Sequence, residues 1–522
     1  MLRKSSALIA VSAIFTIFLA GCGSNSTKIG GCGGACPAQP EGTVYMTMTD
    51  DSPAGVSVLF FQVTLSSATL APTTGSPVSL LNNIAAFGSD EPPRIDVTQL
   101  QALSTFLSTA QVAPGTYSSL SVTFTNPQLV IYNQSDSSLG GTCAVGSICQ
   151  LTPAFDNNSS SLTFTSSPFP VTVSTTSPLG FLIDFHLNTV IQSDLSVNLG
   201  VANGVTISPL PAAPAPAQLG SITGAVATVT ASTGVFTLQA PWGGSFDIAT
   251  TGSTAFNNFP SSACTTPGIG CLAQGQIVSV GISSMAATGY SGVLTASQVT
   301  YVQAANTQTV EGTIIRLIPS NTDIAGAPPT LVLLLHANPA NATGFPLGGI
   351  ADVILSFNTT TYSIDSSGFT MPAGLTFTGP LDLAVGQNVT LTVTPGTLIP
   401  GSSGPGSGAL GPPPSVQFGA TGVELEPSQI SGLITAADSS TTSFTLGVAG
   451  PFFAAWPMPS AVSSFDVVTT SQTSFTGFNP DNFGGLATND FVSVNGWLFA
   501  PSTGSSPTIA AQSVLMRPAP AL

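Results

Sequence analysis

From Thr43 onward, apolar and polar residues alternate over short runs broken by Gly, Pro, Asn and Asp. That period of two is the mark of half-buried strands joined by turns. The first run sets Val44, Met46 and Met48 against Tyr45, Thr47 and Thr49, and stops at the turn signal Asp50-Asp51-Ser52-Pro53. Strands are predicted at Val58 to Leu70, around Leu120, Val122 and Phe124, and at Leu129 to Tyr132. Leu162 to Phe164, Val171 to Ser174 and Phe181 to Leu187 add three more. One stretch departs from this pattern: Val97, Leu100, Leu103, Phe106, Leu107 and Ala110 recur at helical spacing behind Asp96, which can cap them. The expectation for residues 43–208 is a β-sandwich with one short helix.

After Leu210 to Ala217, an alternation of Pro and Ala within a stiff linker at 209–217, the pattern repeats three times. Each unit opens on apolar-x-Gly: Ile222-Thr223-Gly224, Val310-Glu311-Gly312 and Ile430-Ser431-Gly432. A second strand follows (Phe236 to Leu238, Leu331 to Leu335, Phe444 to Leu446), then a Thr- and Phe-rich segment (Phe246 to Phe256, Ile354 to Tyr362, Phe465 to Phe475). Leu272-Ala273-Gln274-Gly275-Gln276 matches Leu383-Ala384-Val385-Gly386-Gln387 and Leu486-Ala487-Thr488-Asn489-Asp490. The closing strands are Ala296 to Val302, Phe418 to Leu425 and Ile509 to Met516. Asn489 stands where the other units have Gly, and Asn also tolerates a left-handed turn. These units, at 218–305, 306–427 and 428–522, are longer than solenoid repeats, so each is expected to be a small β-barrel-like domain, OB-like in strand number. The middle one carries insertions, among them the Gly/Pro/Ser-rich Gly401 to Pro414. The fold class is therefore all-β.

Composition narrows the function classes. Charged residues are 5% of the 522, hydrophobic residues 43%, and the net charge is −16. A mean hydropathy of +0.43 excludes a disordered polyelectrolyte. With 6 cationic side chains against 22 carboxylates, neither nucleic acid nor an anionic lipid surface is an expected partner.

The N-terminus supplies the attachment instead. Arg3 and Lys4 precede an apolar run from Ala7 to Ala20 that ends Leu19-Ala20-Gly21-Cys22. A basic start, a short apolar run and small residues before a cut site describe a secretory leader rather than a membrane span. The final four residues resemble the lipobox of bacterial lipoproteins, and the resemblance implies cleavage before Cys22 and acylation of its thiol. Residues 1–22 are then a lipoprotein signal with its lipobox, and 23–42 a flexible tether. Gly23, in place of the Asp that resembles an inner-membrane retention signal, implies an outer-membrane or cell-surface location. Six cysteines remain in three local pairs: Cys32/Cys36, Cys143/Cys149 and Cys264/Cys271. Short disulfides in an oxidising envelope suit them, and a metal site is the alternative.

Three segments occur together in order: Thr49-Asp50-Asp51-Ser52-Pro53-Ala54, Arg94-Ile95-Asp96-Val97-Thr98-Gln99-Leu100 and Val112-Ala113-Pro114-Gly115-Thr116-Tyr117. They resemble a domain of unknown function found at the start of many bacterial envelope lipoproteins. The three repeats resemble modules of unknown function that accompany it. The resemblance implies location and fold, and brings no activity.

Chemistry-bearing residues are few. Asp184 and His186 share one face of a predicted strand, a candidate general base with its orienting carboxylate, or simply two polar residues on a solvated face. No Gly-x-Ser-x-Gly elbow completes a triad. His336 ends the run Leu331 to Leu335 with no acidic residue near it in sequence, and reads as a strand-rim residue. Asp50, Asp51, Asp90, Glu91 and Asp96 are candidates for calcium, though turn and capping roles account for several of them. Trp242, Trp456 and Trp497 are candidates for stacking on sugar rings. No cofactor motif is present, and neither a catalytic nor a metal site is expected. The expected function is a lipid-anchored envelope protein of structural, adhesive or interaction type, not an enzyme. Its partners would be the membrane through the lipid and an envelope polysaccharide or protein. Polysaccharide binding is the alternative, with a hydrolase behind it.

Overall fold

The computed structural model describes residues 56–517 apart from 82–93, 101–111, 134–136, 140–142, 157–158, 174–178, 211–220, 241–244, 261–263, 285–293, 306–307, 320–327, 338–344, 346, 357–358, 367–368, 401–415, 448–463 and 501–505. Cys22, Cys32, Cys36, Asp50, Asp51, Asp90, Glu91, Trp242 and Trp456 fall outside the described residues. So do the leader, the tether, most of the predicted helix and the insertion at 401–414. Among the described residues no helix is long and apolar enough to cross a membrane.

The first domain is built on two long antiparallel strands, Val56–Pro72 and Gly115–Asn133. The second was expected as two strands. It runs on through Asn126, whose positive φ of 50° absorbs the irregularity beside Pro127. Val78–Ser79 and Arg94–Asp96 add to the first strand; Ile148–Leu151, Ser161–Phe164 and Val171–Val173 add to the second. A separate hairpin, Gly180–Phe185 with Val205–Leu210, packs on the same core. There Phe124 meets Phe185 edge-on at 5.2 Å, and Phe169 stacks on Phe181 at 5.6 Å. Of the expected helix, the described part is a single 3-10 turn over Val97–Leu100. Asp96 caps it as expected, since its Oδ1 accepts from the Thr98 backbone N–H at 3.1 Å.

The three repeats are closed five-stranded barrels. The first uses Ser221–Thr230, Val235–Gln239, Ser245–Ala249, Ile277–Ser284 and Leu294–Gln303. The second uses Thr309–Ile318, Thr330–Ala337, Ile350–Leu355, Asn388–Val393 and Val416–Glu426; the third, Ser428–Asp438, Ser443–Gly447, Ser464–Val468, Phe491–Phe499 and Thr508–Arg517. In each, the first strand pairs antiparallel with the second and the fourth, and the fourth pairs with the fifth. A parallel pairing of the third strand with the fifth closes the wall. Closure removes the open sheet edges on which such apolar strands would otherwise aggregate.

Two repeat motifs have a local cause. The glycine early in each first strand lies against the second strand. A Cβ at Gly224, Gly312 or Gly432 would come 2.3 Å from the carbonyl oxygen of Gln239, Leu334 or Gly447. Before each fourth strand the chain turns left-handed at Gly275 (φ 84°), Gly386 (φ 88°) or Asn489 (φ 73°). The next residue's side chain then returns to accept the N–H of Ala273, Ala384 or Ala487.

Each barrel has its own apolar core, and the core of the second also takes in residues of the third. Trp497 and Phe499 of the third barrel are buried in the core of the second, where the indole lies 5.0 Å from Phe369 and its N–H donates to the Asp365 carbonyl. The first domain lies on the outside of the second barrel, past the first barrel in sequence. Phe60, Val130, Tyr132 and Ile148 pack there against Ile315, Val332, Leu334, Ile350, Ala384 and Val385.

A candidate site at the junction of first domain and second barrel

Strand alternation explains how polar residues reach this junction. In the second barrel's first strand, Val310 and Ile314 point into the core, so Glu311 and Thr313 point outward. In the next strand Leu331, Leu333 and Leu335 fill the barrel, while Val332 and Leu334 face the first domain and His336 takes the same outer face. The outer face is therefore covered, and His336 and Asp96 are both more than nine-tenths buried.

His336 Nδ1 lies 2.9 Å from Asp96 Oδ2 across the junction, and Nε2 lies 2.8 Å from Thr313 Oγ1. The Thr313 hydroxyl donates its proton to Asn388 Oδ1 at 2.5 Å, so its oxygen is the acceptor toward His336. Asn388 is the cross-strand partner of Thr313, and is itself held by its N–H to Ser428 Oγ and by Nδ2 to the Pro427 carbonyl. On the Asp96 side, Oδ1 accepts from both the backbone N–H and the hydroxyl of Thr98. Asp96 is thus fixed at both oxygens and His336 at both nitrogens. Phe60 covers the imidazole, with ring centroids 5.8 Å apart. This overturns the reading of His336 as a rim residue without an acidic neighbour: its carboxylate partner is 240 positions away in sequence.

Around this chain of bonds the barrel's outer face is acidic. Cross-strand register puts Glu311, Thr390 and Glu424 in one row, and Thr313, Asn388 and Glu426 in the next. Burial holds the Glu426 carboxyl well above its usual range, and Glu311 and Asp365 push it the same way. Burial also raises Glu311, against the opposing pull of His336, and raises Glu424, with Asp365 adding to it. Nearby, burial and then Asp382 push the Tyr362 hydroxyl up to about 12. Among the described residues no group of three or more His, Cys, Asp and Glu is placed to hold a metal ion.

The other candidates are placed as follows. Cys143–Cys149 and Cys264–Cys271 are disulfides. Asp184 does not share a solvated face with His186: its strand ends at Phe185, and His186 begins the short helix Leu187–Val190. Asp184 is buried, with His186 Nε2 at 3.9 Å, because the hairpin lies against the core. Trp497 is fully buried, so it offers no face to a sugar. The residues missed from sequence are Thr313 and Asn388, ordinary in composition and given a role only by register. One signal was available: a run apolar on both strand faces, such as Leu331 to Leu335, marks a strand covered on both sides. A histidine ending such a run is itself under cover. No family model matches the chain, and no curated protein matches it.

Proposed function

We propose that this is a lipid-anchored protein of the bacterial cell envelope, with a structural or adhesive role rather than an enzymatic one. The observation that supports it best is the interlocking of its modules. The first domain, second barrel and third barrel meet through buried contacts that include Phe60, Trp497 and the Asp96–His336 pair. A protein that presents surfaces at a distance from its lipid needs such stiffness, whereas an enzyme needs titratable groups converging on an open cleft. In this reading the first domain is a β-sandwich bearing a short helix after Asp96, like the domain of unknown function it resembles, and the barrels are OB-like modules. The strand order described above, with a parallel closure between third and fifth strands, favours that assignment. Acyl chains at Cys22 hold the protein at the outer membrane or surface, and the partner is another envelope polymer. Polysaccharide binding would have to use Trp242 or Trp456, since Trp497 is enclosed.

The test is detergent partitioning of wild type and Cys22→Ala. Wild type is expected in the detergent phase and the variant in the aqueous phase. Equal membrane retention of the variant would remove the anchor from the reading.

A further inference from the structure

The hydrogen bonds at the junction can be counted proton by proton. The Pro427 carbonyl accepts from Asn388 Nδ2 at 3.1 Å, which turns Asn388 Oδ1 toward Thr313. That oxygen can only accept, so the single proton of the Thr313 hydroxyl lies on the 2.5 Å bond to it. Toward His336 the Thr313 oxygen is an acceptor, and Nε2, 2.8 Å away, must therefore carry a proton. The last link runs from Nδ1 to Asp96 Oδ2 at 2.9 Å and needs a proton as well. Asp96 Oδ1 already accepts from the Thr98 backbone N–H and hydroxyl, as a carboxylate does, which leaves that proton on Nδ1. Three links need three protons; Thr313 supplies one, and His336 the other two.

We propose that His336 is held as an imidazolium, and that its ion pair with Asp96 is a proton-dependent latch that fastens the first domain to the second barrel and loosens when the ring loses a proton. A neutral ring cannot make all three bonds. If it keeps the Nε2 proton, a bare Nδ1 faces the Asp96 carboxylate at 2.9 Å across the junction. If it keeps the Nδ1 proton, the Thr313 hydroxyl must turn to Nε2, and the oxygens of Thr313 and Asn388 are left facing each other at 2.5 Å. In that second form the link across the junction survives, but only Asp96 is charged, and a bond charged at one end is weaker than an ion pair. Both side chains are more than nine-tenths buried, so the carboxylate would lose its countercharge under cover. From the first domain the ring meets Asp96 and Phe60, with Gln62 opposite Asp96 in register. Arg94, on the strand of Asp96, is exposed. On the barrel side Glu311 of the neighbouring strand interacts with the imidazolium charge, and Asp365 and Glu426 act on Glu311 and on one another. Arg316 stands opposite Val332, further back along the strand of His336.

Nitrogen NMR of the full chain, isotopically labelled at histidine, tests the protonation. The chain has 2 histidines, so His186→Gln leaves His336 as the only source of signal, and wild type gives the same reading from two sets of signals if that variant fails to fold. Both ring nitrogens of His336 are expected to be protonated in the folded protein, with the Nδ1 proton shifted far downfield by the carboxylate. Hydrogen exchange followed by mass spectrometry tests the latch. As pH is raised, the facing segments around Phe60, Val130 and Leu334 should lose protection relative to the first barrel, at the pH where the His336 nitrogen signals change. Asp96→Asn should abolish both the downfield proton and the step. A His336 ring with a single proton at every pH where the protein is folded overturns the proposal. So does protection at the junction that shows no step, a step at a different pH from the nitrogen signals, or a step that persists in His336→Gln, which would assign it to the buried glutamates.

Discussion

Gly312 shows how a single atom governs a barrel. A methyl group there would meet the Leu334 carbonyl oxygen at 2.3 Å and the Leu333 side chain at 2.8 Å, and both belong to the paired strand. The strands cannot separate without loosening the junction with the first domain, to which Leu334 contributes. Gly312→Ala is expected to cost about 1–3 kcal/mol, the usual range for overpacking. Urea denaturation would show it, and an unchanged midpoint would refute the argument. At Asn489 the constraint is conformational. With φ at 73°, Asn489→Gly should leave stability nearly unchanged, whereas Asn489→Val should lose about 1–3 kcal/mol as a β-branched residue forced into left-handed backbone. Asn489 was legible as a turn residue from its place in the repeat. That Gly312 is needed for contact, rather than for a turn, was not.

At the scale of elements, the acidic outer wall of the second barrel makes stability depend on pH. Glu311, Glu424 and Glu426 have folded pKa values above the usual 4.5, chiefly through burial. The folded chain therefore keeps protons that the unfolded chain releases. Their contribution is fully present below about pH 4.5 and is lost as pH rises through the folded values. Asp194 and Asp438 act the other way. Hydrogen bonds from Ser196 and Ser440 lower them, so their contribution holds above the ordinary Asp range and fades as pH falls. Both are exposed, so the buried glutamates should dominate. Unfolding free energy measured from pH 4 to pH 8 is expected to fall across that range. Glu426→Gln should flatten the fall, and a variant with the same slope as wild type would contradict the assignment. Single strands in this wall were readable from alternation. Their juxtaposition was not, because register is set by pairing partners far apart in sequence.

For the whole molecule, the question is how far the modules stand alone. The third barrel has a separate core around Ile430, Ile434, Phe465 and Val494. Trp497 and Phe499, however, are buried by its neighbour. The segment Ser428–Leu522 expressed alone is expected to unfold cooperatively, with tryptophan emission shifted to the red of the full chain. It should be less stable by about 3–5 kcal/mol, the scale of a lost aromatic contact. Emission that stays blue would mean that Trp497 is shielded within its own barrel. A non-cooperative product would mean that the second and third barrels fold only as a pair.

By itself, the sequence determined that the described chain is all-β, that three related units follow the first domain, and that each unit turns left-handed before its fourth strand. These features are local: periodicity, turn residues and repeated order are all written within short windows. It also placed Asp96 as a cap, which the turn at Val97–Leu100 displays. Only the tertiary structure decided that Asp96 uses its other oxygen for His336, that Thr313 and Asn388 lie opposite one another, and that the first domain rests on the second barrel rather than the first. It also enclosed Trp497 and Asp184, which composition alone leaves on either side of the surface. The physical reason is that burial and pairing depend on which faces meet, and a strand's alternation defines two faces without naming the partner of either.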